Sequence, residues 1–259
     1  MHVRKLSVLI LAALLAACAS QPSSKYPYPP QFVSPDQVNV YTLPAPPQPG
    51  STQYKHEIKD ILAMQKQLTP EEIAAIQGEI HISPQMLVEP VLGEQFTPEN
   101  LPKLYALLDH AQSDAWRIGD TIQEHWNETR PWLADARVKR YVEEIHRPGY
   151  PSGHTTTNTT WALILGDMMP LQQDKLVARA SEIGHHRVEG GAHFPHDIEQ
   201  GRKLAHVIYQ RMQMSPAFVA ERNAAQLELD AFIQAQLKAG VPMRCCTAQA
   251  AVPATDNDD

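Results

Sequence analysis

Three stretches of this 259-residue chain combine residue types that could hold an anion and attack it. They are Trp126-Asn127-Glu128-Thr129-Arg130-Pro131, Tyr150-Pro151-Ser152-Gly153-His154-Thr155, and the histidine-rich run from Gly184 to Asp197. Ser152 and Gly153 precede a helix expected to begin near His154 or Thr155. A helix start presents unpaired N–H groups and a partial positive charge, so it favours an anion. Arg130 and Arg187 are forked, charged donors able to clamp one. His193 and Asp197 stand four apart across a turn that Pro195 helps to start. The carboxylate can therefore accept the hydrogen on one ring nitrogen and leave the lone pair of the other directed outward. An oriented histidine, a second histidine on an anion-binding turn and two arginines are the set that in-line phosphoryl transfer requires.

The elements that must position these residues read as helices. Ala, Leu, Gln, Glu and Ile recur at three- and four-residue spacing from Ser51 onward. Thr69-Pro70-Glu71-Glu72 gives a capping hydroxyl, a proline at the first helical position and a glutamate three residues after the cap. Thr97-Pro98 and Ser215-Pro216 repeat the cap-then-proline arrangement. The pattern predicts helices near 52–67, 70–79, 98–126, 155–169, 171–186, 195–213 and 216–239. Short β-branched runs at Gln37–Thr42 and Glu79–Ile82 stand alone, and there is no 20–50-residue repeat. The expected architecture is an all-α, single-domain helical bundle over 51–242, with Trp161, Met168 and Met169 in its core.

The three stretches, taken in order, resemble the signature of the type 2 phosphatidic acid phosphatase and vanadium haloperoxidase superfamily, and within it the bacterial class A non-specific acid phosphatases. The superfamily pattern is Lys-x6-Arg-Pro, then Pro-Ser-Gly-His, then Ser-Arg-x5-His-x3-Asp. Arg130-Pro131 matches the first block, Pro151 to His154 the second, and Arg187, His193 and Asp197 the third. LPAPPQPGSTQYKHEIKDILAMQKQLTPEE and the helix begun by SPAF also look like class A sequence, so the likeness covers roughly 40–240. The resemblance implies His193 as nucleophile, Asp197 as its orienting acid and His154 as general acid. Arg130, Arg187, Ser152, Gly153, Gln123 and His186 would hold the phosphate of a small phosphomonoester, with no metal and no other cofactor. Gln123 stands where the family has lysine, and His186 where it has serine. The lost charge at 123 predicts weaker phosphate affinity, since charge-assisted hydrogen bonds are roughly twice as strong as neutral ones. Arg137 and Lys139 are the nearby cations that could restore it.

The net charge of −7, from 22 Lys+Arg against 29 Asp+Glu, argues against a nucleic-acid binder. Seven of the 12 histidines fall between His146 and His206, which points to a site there. His185, His186, His193 and His196 invite a metal reading, but no HExxH spacing occurs; His185 and His196 are expected at the pocket rim or surface. Arg4 and Lys5 followed by the apolar run Leu6–Ala17 read as an export signal over 1–17. Leu15-Ala16-Ala17-Cys18 resembles a lipobox, so Cys18 is the expected acylation site. Nine of the 22 prolines lie between Pro22 and Pro49, and 18–50 reads as a proline-rich linker, part of which could lie against the domain. The tail 243–259, which holds adjacent Cys245 and Cys246, is expected to be disordered. The expected protein is a lipid-anchored, periplasm-facing acid phosphatase. Ala19 favours the outer membrane, and self-association is left open. Rivals are a lipid phosphatase, a vanadate-dependent haloperoxidase, and a non-catalytic phosphate-binding lipoprotein.

Overall fold

Proline sets where many of these helices begin, because its fixed φ suits the first turn and its missing N–H is not needed there. The computed structural model describes residues 26–245, and all regular elements among them are helical. They are α1 (Thr52–Gln65), α2 (Pro70–Gly78), α3 (Gln85–Leu92), α4 (Pro102–Trp126), α5 (Pro131–Ala134), α6 (Gly153–Met168), α7 (Gln173–Glu189), α8 (Pro195–Gln213) and α9 (Pro216–Lys238). Short 3-10 turns occupy Pro35–Gln37, Val40–Thr42 and Pro170–Gln172. Thr69 caps α2 with the reciprocal Thr69–Glu72 box read from the sequence.

The start of α4 and the presence of α3 depart from the sequence reading. Thr97-Pro98 opens only a turn, in which Asn100 and Leu101 donate to the Thr97 carbonyl, and α4 starts one turn later at Pro102. The α3 helix was not expected, because Pro90 sits inside it. A proline there removes the hydrogen bond to the carbonyl of residue 86. Arg179 Nε from α7 donates to that Met86 carbonyl instead, at 3.1 Å.

The central element is α6, which packs against α4, α7 and α8 and is buried at almost every position from Thr155 to Leu165. Two of its buried threonines donate back along the helix, Thr156 to the Ser152 carbonyl at 2.9 Å and Thr160 to the Thr156 carbonyl at 2.8 Å, and Thr155 donates to Ser152 Oγ at 3.1 Å. Trp161 is fully buried and donates Nε1–H to the Leu108 carbonyl at 2.8 Å, and Met168 and Met169 are buried nearby in the same core. The α7–α8 connection turns at Gly191, whose φ is +72°. A Cβ there would sit 2.4 Å from the Lys139 carbonyl.

The proline-rich segment is gripped by the body. Asp114 of α4, fully buried, accepts the backbone amides of Gln31, Phe32 and Val33 at 2.9, 2.7 and 2.9 Å. Phe32, Val33, Val38 and Leu43 join the main core. At the other end, Met243 and Cys245 are buried, and the Cys245 carbonyl accepts from Gln172 Nε2 at 2.6 Å. The packed body thus reaches past residue 242. The expected export signal over 1–17, Cys18, Cys246 and the rest of the tail lie outside the described residues. No helix among the described residues is long and apolar enough to cross a membrane.

Candidate active site

The start of α6, the end of α7, the start of α8 and the second half of α4 converge on a cavity of about 470 Å³. His193, His154, Gly153, Arg130, Arg187 and Gln123 all line it. Residues far apart in the chain therefore line one cavity.

His193 is buried, and its two neighbours fix its tautomer. Nε2 lies 3.2 Å from an Arg130 terminal nitrogen, which can only donate, so Nε2 accepts and keeps its lone pair. The hydrogen is then on Nδ1, 3.1 Å from Asp197 Oδ2. The same oxygen accepts the Phe194 amide at 2.9 Å. Burial, then the charges of Arg130 and Arg187, hold the His193 pKa well below the usual histidine range, so the ring is neutral at pH 7.

His154 donates Nε2–H to the Ile80 carbonyl at 3.0 Å. Burial and the nearby charge of Arg187 push its pKa well down. An arriving phosphate dianion offsets that cationic field and favours uptake of the second proton.

The two arginines differ in what they have left to give. Arg130 donates to the carbonyls of Arg147, Ala192 and Pro148 at 2.8, 2.9 and 3.0 Å, and to His193. Four of its five hydrogens are committed. Arg187 is fully buried, and none of its three guanidinium nitrogens meets an acceptor among the described residues. Burial pushes its pKa down to about 10, against the favourable field of Glu79, so it is still a cation at neutral pH. A buried cation whose donors open on a cavity is suited to an anion.

At the first turn of α6, Ser152 Oγ accepts the Thr155 amide at 3.3 Å as the cap. The Ser152 amide donates to the Asp197 carbonyl at 3.1 Å, so it is not free for a ligand. The amides of Gly153 and His154, the first two of the helix, are the ones the helix start leaves over. Gln123 gives one Nε2 hydrogen to the Pro151 carbonyl at 2.8 Å, and its Oε1 has no partner among the described residues.

Three expectations are corrected by position. His186 does not line the cavity: its Nδ1 is 2.8 Å from Glu79 Oε2, in a cluster that also holds Arg179. Neither Arg137 nor Lys139 restores the charge missing at 123. Arg137 is paired with Asp135 at 2.6 Å, and neither residue lines the cavity. His196 is not a rim residue but is buried beneath His193, between Glu57 and Glu128. His185 does stay at the surface, 3.3 Å from Glu189. The cation the sequence reading missed is Arg147, which lines the cavity and is paired with Asp120 at 2.6 Å.

Residues 118–212, from the second half of α4 to the last turn of α8, match the PAP2 superfamily, and this stretch carries most of the residues that line the cavity. Over 149 residues the chain is 30% identical to the non-specific acid phosphatases of Salmonella typhi and Salmonella typhimurium, covering 56% of this chain and 60% of each relative. It is 28% identical to that of Providencia stuartii over 141 residues, 52% of this chain and 57% of the relative. The chain thus spans about 60% of the length of the first two relatives.

Proposed function

We propose that this protein is an acid phosphatase that hydrolyses small phosphate monoesters through a phosphohistidine on His193. The observation that carries the reading is Arg187, a fully buried guanidinium that meets no acceptor among the described residues and opens on the same cavity as a neutral histidine. A phosphoryl group bound to Arg187, to the remaining N–H of Arg130 and to the amides of Gly153 and His154 would stand beside His193, whose Nε2 lone pair attacks once the Arg130 N–H at 3.2 Å releases it. These donors meet the charge that develops on the equatorial oxygens.

Nε2 attacks phosphorus while the bond to the ester oxygen breaks, and protonated His154 gives that oxygen its proton. The positive charge that develops on the His193 ring is met by Asp197 at Nδ1. His154, now neutral, takes a proton from water as the water attacks the phosphohistidine, and phosphate leaves. Gln123 contributes at most one neutral hydrogen bond. The similarity to proteins named non-specific acid phosphatases supports the same reaction class. In the same reading the chain is exported, acylated at Cys18 and held on the periplasmic side of a membrane.

His193→Ala is expected to lower turnover of p-nitrophenyl phosphate at mildly acidic pH by at least about 10³-fold, because the covalent step is lost. Undiminished turnover in that variant would refute the mechanism. Phosphate binding by a wild-type protein with no turnover would favour a binding lipoprotein instead.

A further inference from the structure

Beneath the proposed nucleophile lies a buried chain of ionisable groups, of which the motif readings use only Asp197. His196 Nδ1 is 2.5 Å from Glu57 Oε2. Its Nε2 is 3.0 Å from both carboxylate oxygens of Glu128 and 3.3 Å from Asp197 Oδ1. All four residues are buried, and neither Glu57, Glu128 nor His196 lines the cavity. The imidazole stacks on the Phe194 ring at 5.2 Å and 12°.

Both ring nitrogens face carboxylate oxygens, which accept, so both need a hydrogen, and the ring is an imidazolium. Glu128 and Asp197 are neighbouring buried carboxylates, and two such groups cannot both stay ionised without a cation between them. Asp197 already commits Oδ2 to His193 and to the Phe194 amide, while Oδ1 accepts no hydrogen bond among the described residues and has His196 as its nearby cation.

We propose that His196 is a positioning residue: held as an imidazolium between Glu57 and Glu128, it keeps Asp197 ionised, and ionised Asp197 keeps the hydrogen of His193 on Nδ1 and its lone pair facing the cavity. The role in turnover rests on the reading of His193 as nucleophile; the charge state and the tautomer do not. Burial opposes the charge on His196, but its hydrogen bonds to Glu128 and Glu57 outweigh burial and push its pKa up to about 10. Burial and the charge of Glu128 drive the Asp197 pKa up, and His196 opposes them.

The groups facing this cluster come from every element around it. Glu57 and Tyr54 belong to α1, Glu128 and Arg130 to the connection after α4, Tyr150 to the loop before α6, His193 to the α7–α8 connection and Asp197 to the first turn of α8. The sign of each substitution follows. The active form needs Asp197 ionised, so removing the cation raises its pKa and moves the acid limb of the rate profile to higher pH. Removing the neighbouring anion Glu128 lowers it and moves the limb to lower pH.

In the full-length protein, ¹⁵N NMR of the histidine rings is expected to show His196 with both nitrogens protonated between pH 5 and 8, and His193 as the Nδ1–H tautomer. In His196→Gln, the His193 signals should lose that single tautomer at mildly acidic pH. For p-nitrophenyl phosphate, the acid limb of kcat/KM should rise by about one pH unit in His196→Gln, fall in Glu128→Gln, and return to within about half a unit of wild type in the double variant. A His196 ring that is neutral at pH 6 would overturn the proposal. So would one metal ion per chain by elemental analysis, since Glu128, His196 and Asp197 are close enough to ligate one and an imidazolium has no lone pair to offer. Equal loss of rate at every pH in His196→Gln, with the limb unmoved, would also overturn it. A wild type without turnover would sink the phosphatase reading alone, and the NMR signals would still decide the positioning role.

Discussion

Arg187 brings five N–H donors into the cavity and meets no acceptor among the described residues, an arrangement that costs stability in the free protein and gains it back only when an anion binds. Arg187→Met keeps the approximate volume and removes the uncompensated charge. Without phosphate it is expected to be more stable than wild type by about 1–4 kcal/mol, a Tm higher by several degrees. With inorganic phosphate at about 100 times its Kd the wild type should gain about 2.7 kcal/mol, and the variant should gain nothing. Thermal unfolding with and without phosphate checks both halves. A variant less stable than wild type in phosphate-free buffer would mean that Arg187 is a structural residue. The residues around it differ in how legible they were. Arg130, His154, Arg187, His193 and Asp197 were readable because their spacing within short segments is itself the signal. Glu57 and Glu128 lie 139 and 68 residues from His196, and no local pattern links them. The stretch from Trp126 to Pro131 drew attention to Glu128 only as a neighbour of Arg130. His186 was misplaced because its partner Glu79 is 107 residues away, and sequence shows the position of a residue in a motif but not which way its side chain turns.

Helix contacts decide whether those side chains reach one cavity. The α8 helix crosses the start of α6 at Gly201, where a Cβ would come within 2.9 Å of the Ser152 carbonyl. The Ser152 amide in turn donates to the Asp197 carbonyl, so this crossing sets the distance between the Gly153–His154 turn and His193. Gly201→Ala is expected to push the two apart. The overpacking should cost about 1–3 kcal/mol, and a displacement of the anion-binding turn should lower kcat/KM by about tenfold or more. Gly78→Ala is the contrast: nothing lies within 4 Å of a Cβ there, and stability and rate should stay near wild type. Equal effects from the two substitutions would show that helix propensity, not the crossing, governs the result. Helix starts were the most readable part of the fold because caps and prolines act locally: Thr69-Pro70 and Ser215-Pro216 open α2 and α9 as expected. Thr97-Pro98 failed as a start because a second proline, Pro102, offers the same first-turn geometry four residues on. Pro90 concealed α3, because the donor that replaces its missing N–H comes from Arg179, 93 positions from the Met86 carbonyl it serves.

At the scale of the whole molecule, the proline-rich segment decides where an anchored protein would present its cavity. Asp114 fixes residues 31–33 on α4, the Tyr150 hydroxyl donates to the Pro44 carbonyl at 2.5 Å, and the Tyr26 hydroxyl donates to Asp120 at 2.9 Å. Asp120 lines the cavity and pairs with Arg147, so the first described residue is tied to the mouth of the site. Cys18 precedes Tyr26 by eight residues. Even fully extended, that stretch reaches only about 28 Å at ~3.5 Å per residue. Acylation at Cys18 would therefore hold the cavity mouth within about one domain diameter of the membrane surface, without any helix of the body entering the bilayer. Cys18→Ala tests the anchor separately from the chemistry. After expression in a Gram-negative host, the variant should move from the membrane to the soluble fraction, and its kcat/KM for water-soluble p-nitrophenyl phosphate should stay within about twofold of wild type, because an acyl anchor contributes membrane affinity and no contact to the site. A variant that stays with the membrane would place the attachment elsewhere in the chain. A large loss of rate in the released protein would mean that the segment from Tyr26 to Pro44 holds the cavity in shape only while its far end is tethered.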